Sequence, residues 1–146
     1  MAQGHEVVVV GRSAAKGAAW LAAARAQGAA GRAHFLPADL GLVADNRALI
    51  DALHHGFGRI DALALCARHF RTTRLVTAEG FENTFAHFYL SRFLLSHGLA
   101  ERLEAADRPV ILNVAGPGGA GDSAYDGQRA LARRLRRRTE RLLAAV

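Results

Sequence analysis

Four consecutive valines, Val7 to Val10, run directly into Gly11, Arg12 and Ser13. A β-branched run without polar alternation predicts a strand covered on both faces, as in a parallel sheet flanked by helices. The rest of the chain must then pair with this strand or cover it. Ser13 is placed to cap a helix over residues 14–27, and a helix start attracts anions. Arg12 stands beside that start as a positive side chain. On one reading Gly11, Arg12 and Ser13 receive the ribose end of a nucleotide, above all a 2′-phosphate. On the other, Gly11 serves the turn and Arg12 is solvated.

The segments that follow alternate. An alanine-rich helix ends at Gly28, a short strand over residues 33–36 stops at Pro37, and Asp39 and Leu40 follow it. A second helix is predicted over residues 43–55 and a third strand over residues 60–66. Alternation at these lengths is what right-handed βαβ crossovers require, so the predicted fold is α/β with a parallel sheet. An arginine-bearing loop then leads to a long helix over residues 78–105, with Phe81, Phe85, Phe88, Leu95, Leu99 and Leu103. That apolar surface exceeds one stripe, so it either meets a second subunit or fills the space under the sheet. A fourth strand over residues 110–114 precedes a glycine-rich turn, and residues 125–146 read as a final helix.

At 146 residues the chain is one domain's worth, residues 1–146. Its net charge of +6 is confined to the C-terminal end, where seven arginines from Arg129 onward face Glu140 alone. No aromatic residue is interleaved there to stack bases, so a solvated helix face is preferred to a nucleic-acid or acidic-partner surface. The single cysteine, Cys66, excludes an intrachain disulfide and multi-cysteine metal motifs. No metal site is expected, because His54 and His55 point about 100° apart on their helix. No run approaches the roughly 20 apolar residues of a membrane span, and a cytoplasmic location is the default expectation.

Several segments, taken in order, resemble the short-chain dehydrogenase/reductase family, in particular its retinol-dehydrogenase-like branch. They are the strand with Gly11 and Arg12; the pair Asp39 and Leu40; the stretch from Gly58 to Leu63 leading to Ala67; the stretch from Thr77 to Phe85 with Leu90 and Phe93; and the strand from Val110 to Val114. The resemblance implies a Rossmann-type NAD(P)-dependent oxidoreductase acting on a small-molecule substrate, a lipid-like or otherwise apolar alcohol or carbonyl. It gives the cofactor contacts to Gly11, Arg12, Ser13, Asp39, Leu40 and Ala67, with Arg12 reading the 2′-phosphate of NADP (NAD being the alternative) and Asp39 near the adenine. It makes Tyr125 the acid/base and puts Arg129 at the position of the lysine that lowers the tyrosine pKa.

The sequence departs from that family at four places. The family's opening strand and glycine-rich turn are missing, so the chain is expected to be an N-terminally truncated, partial Rossmann-type domain. Cys66, Ala67 and Arg68 replace Asn-Ala-Gly. Ala115 or Gly116 takes the catalytic serine's place, and Arg129 replaces the lysine, Lys16 being the only lysine present. Losing members of a catalytic unit lowers rates by orders of magnitude, so impaired catalysis, or a non-catalytic member that keeps nucleotide binding, is expected. The strands beginning at Val7 and Ile60 are predicted to close over the missing strand, giving the order Ala33, Val7, Ile60, Val110.

Overall fold

The computed structural model describes residues 4–67 and 73–114, all within one compact unit, Met1–Val114. Tyr125, Arg129, Arg68, the glycine-rich turn and the arginine-rich end lie outside the described residues. Strand β1 (Val7–Gly11) leads into helix α1 (Ala14–Ala26), strand β2 (Ala33–Pro37), helix α2 (Val43–Gly56) and strand β3 (Ala62–Leu65). A helical stretch then passes from α3 (Asn83–Phe85) through a π-helical turn (Ala86–Leu90) into α4 (Ser91–Gly98) and α5 (Ala100–Glu104), and β4 (Val110–Asn113) follows.

Local chemistry accounts for these boundaries. The Ser13 hydroxyl accepts from the Lys16 amide at 3.3 Å, and Gly28, at φ +71°, turns the chain out of α1. The expected helix start near residue 78 is corrected to Asn83. Glu82 sets it by accepting from the amides of Thr84 and Phe85 at 2.9 and 2.7 Å. Ahead of it the chain makes a turn through Gly80, at φ +84°, closed by a Val76–Glu82 bridge. From that turn Glu79 reaches back to α2 and accepts from the Val43 and Ala44 amides at 2.5 and 3.0 Å. It thereby caps a helix whose own N-cap residue, Leu42, has no polar side chain for the task.

The strands form two parallel ribbons. β1 pairs with β2, placing Val7 opposite Ala33, and β3 pairs with β4, placing Ala62 opposite Val110. Both expected outer pairings are present, and the arrangement is Rossmann-like, but no ladder joins β1 to β3. The closed order is therefore corrected. A shared core joins the two ribbons. Leu49 and Leu53 of α2, Leu65 of β3, and Leu95, Leu99 and Leu103 of the later helices form one cluster, against which Val8 and Val10 of β1 and Leu63 of β3 pack. The β1 valines are half-buried instead of covered on both faces, and the β4 side chains Val110, Ile111 and Leu112 stand exposed.

Helices α2 and α4 touch at Gly98, where an added Cβ would lie 2.6 Å from the Ile50 Cδ1 methyl and 3.2 Å from Cγ1 and Cγ2. Gly98→Ala is expected to force this crossing apart and lower stability by about 1–3 kcal/mol, read as a lower thermal midpoint. An unchanged midpoint would show that Ile50 moves aside freely.

Candidate functional site

The C-terminal ends of β1 and β2 lie side by side, with Gly11 opposite Pro37. This register brings together residues 27 positions apart in sequence. Arg12 leaves β1 with Nη1 3.5 Å from Asp39 Oδ2, the two side chains being 49% and 33% exposed. A pair this accessible contributes under about 1 kcal/mol. Arg12 can therefore be drawn to another anion at little expense to the fold. Ser13 stands next to it, capping α1.

Asp39 is held more firmly than Arg12. Its Oδ1 accepts from the Gly41 amide at 2.9 Å, an Asx turn that follows from the Asp-Leu-Gly order. Its own amide donates to Asp45 Oδ2 at 2.7 Å. Leu40 packs its side chain against the core, while its carbonyl and that of Leu42 accept from Asn46 Nδ2 at 3.0 and 2.6 Å. Gly11, Arg12, Ser13, Asp39 and Leu40 thus share one end of the β1–β2 ribbon. Ala67 lies just beyond the C-terminal end of β3, in the other sheet.

One participant escaped sequence reading. His87, in the π-helical turn and 6% exposed at its side chain, brings Nε2 to 3.6 Å from Asp39 Oδ1. A lone histidine on a mostly apolar helix face was the available signal. The chemistry this arrangement offers is that of an anion-attracting end: a cation, a helix start and a fixed carboxylate converge where open α/β sheets take ligands. Among the described residues no group of three histidine, cysteine or acidic side chains could hold a metal ion. A cleft of about 580 Å³ lined by His5, Glu6, Phe57 and Arg59 lies at the opposite, N-terminal end of β1. It does not touch these residues. No described helix is long and apolar enough to cross a membrane.

Comparison with known proteins bears on the same ribbon. The family model described as short chain dehydrogenase matches residues 1–130. A search of curated proteins finds no match. Among solved structures, an uncharacterised protein from Mycobacterium paratuberculosis is 28% identical with a TM-score of 0.56, the match covering 69% of this chain and 34% of that one. A short-chain dehydrogenase from Sphingobium yanoikuyae in complex with NADPH is 27% identical with a TM-score of 0.60, over 75% of this chain and 43% of that one. Pseudomonas aeruginosa RhlG, in an active-site complex with NADP, is 25% identical with a TM-score of 0.62, over 97% of this chain and 59% of that one. The chain thus spans between about a third and three fifths of these proteins' length. With the family model covering the described Rossmann-like ribbons and their C-terminal ends throughout, this chain belongs to the short-chain dehydrogenase family.

Proposed function

We propose that the chain binds NADP through the C-terminal ends of β1 and β2 and serves a short-chain dehydrogenase/reductase reaction on a small alcohol or carbonyl compound. The observation that carries this reading is the Arg12–Asp39 pair beside the Ser13-capped start of α1. Arg12, released from a weak partner, suits a 2′-phosphate, and Asp39 suits the polar edge of an adenine. The NADPH and NADP held by two of the similar structures support the choice of NADP over NAD. Bound there, the cofactor supplies hydride chemistry. Tyr125 is the proton donor or acceptor and Arg129 stands at the sequence position of the family's lysine, an imperfect substitute because a planar guanidinium is no compact ammonium. The retinol-dehydrogenase-like segments favour an apolar substrate, and the departures from the family pattern favour slow turnover.

A second reading, nucleotide binding without catalysis, is favoured by the residues at the serine and lysine positions, Ala115 or Gly116 and Arg129. NADPH consumption with a panel of ketones, set beside Tyr125→Phe, separates the two. A rate that falls at least tenfold in the variant supports the enzyme, and equal rates leave binding alone. A self-association surface also belongs to this proposal. Phe85, Tyr89, Phe93 and His97 stack along the helical stretch at centroid spacings of 5.2, 6.3 and 4.2 Å, with Tyr89 exposed.

A further inference from the structure

His87 has the surroundings of a working group. The Asn83 carbonyl lies 3.0 Å from Nδ1, and since a carbonyl only accepts, Nδ1 carries a hydrogen. Nε2 then faces the Asp39 carboxylate at 3.6 Å. Without a proton it would set lone pair against lone pair; with one, it makes an ion pair between a buried ring and a partly exposed carboxylate. The backbone around it is shaped to this end. The π-helical turn carries Ala86, His87 and Leu90 inward, and the buried Ser91 hydroxyl donates to the His87 carbonyl at 2.8 Å. A Cβ at Gly41 would stand 2.5 Å from His87 Cε1 and 3.1 Å from Asp39 Oδ1, so the close approach needs glycine there.

Among the described residues, Arg12 of β1 pairs with Asp39 and Asp45 of α2 accepts the Asp39 amide, while the carboxylates of Glu79 and Glu82 are engaged by the amides that start α2 and the helix bearing His87. A phosphate seated on Arg12 would withdraw that cation from Asp39 and add negative charge beside it. Of the two ion-pair partners of Asp39 among the described residues, His87 is the one left. We propose that His87 is a positioning residue for the nucleotide: as an imidazolium it holds Asp39 in place when a 2′-phosphate draws Arg12 away, so that binding takes up a proton. This rests on the nucleotide reading given under Proposed function.

The test is calorimetric titration of the full chain with 2′,5′-ADP. Histidine is the side chain whose charge changes in the physiological range. Affinity is expected to fall about five- to tenfold between about pH 5.5 and 8.5, a coupling of ordinary size. In His87→Gln that fall should vanish or reverse, because a phosphate gains charge over the same range. Repeating the unmodified chain's titration near pH 7 in buffers of differing ionisation heat needs no variant, and net proton uptake is expected. Phosphate docking on arginine would give release instead. Affinity that does not fall with pH, a fall that persists in His87→Gln, or proton release overturns the role of His87 while leaving the nucleotide site standing. No binding of 2′,5′-ADP at any pH overturns the nucleotide site, and the inference with it.

Discussion

Arg12→Glu is expected to weaken NADPH binding by about 100-fold while changing NADH affinity little. Removing a charge-assisted phosphate contact accounts for about 2–3 kcal/mol, and each 1.4 kcal/mol is tenfold in affinity. The new carboxylate also stands beside Asp39 and repels the incoming phosphate, which carries the effect to the upper end of that range. Because the Arg12–Asp39 pair is exposed, its loss should move the thermal midpoint only slightly. The variant therefore reports on recognition and not on folding. Calorimetry with the two reduced cofactors checks it: equal losses for NADPH and NADH would mean that Arg12 does not read the 2′-phosphate.

Leu99→Ala carries the largest expected effect on stability. Leu99 is 0% exposed, at the junction of α4 and α5, within the cluster of Leu49, Leu53, Leu65, Leu95 and Leu103. Truncating a leucine in such a place typically costs about 2.7–5 kcal/mol, as transfer energy lost plus a cavity the neighbours only partly fill. Against a total stability of about 5–15 kcal/mol, this leaves a marginal fold. The midpoint should drop by about 10–20 °C, at the roughly 4 °C per kcal/mol that lies between the values for 60–100-residue and 150–250-residue domains. Thermal melts of the full chain followed by circular dichroism check it. A drop of only a few degrees would mean that the leucine cluster collapses around the gap, or that the described unit is anchored elsewhere.

Much of the fold was legible in the sequence because its signals are local. The valine run, Ser13 ahead of an alanine-rich helix, Gly28 after it and Pro37 after a short apolar run each act within a few residues. They located β1, α1 and β2 almost to the residue. The later helix was placed too early because Phe81 and its neighbours have helical composition. The determinant is the Glu82 carboxylate on two amides, which composition does not reveal. The separation of the ribbons was illegible for another reason. It is a tertiary property: the ribbons meet through a cluster drawn from α2, β3 and the later helices, contacts between residues far apart in the chain. At the site, Arg12, Ser13 and Asp39 could be named because each follows a strand. His87 could not, since its 48-residue separation from Asp39 is closed only by tertiary packing and a π-helical turn.

With no ladder running from β1 to β3, the two halves of the sheet are tied through side chains: the shared leucine cluster, the His87–Asp39 ion pair and the Glu79 carboxylate on the Val43 and Ala44 amides. The alignment of the half carrying Arg12 and Asp39 with the half that leads to Ala67 is thus set by side-chain volume and charge in a close-packed interior, and a core substitution reaches it without breaking a single strand hydrogen bond.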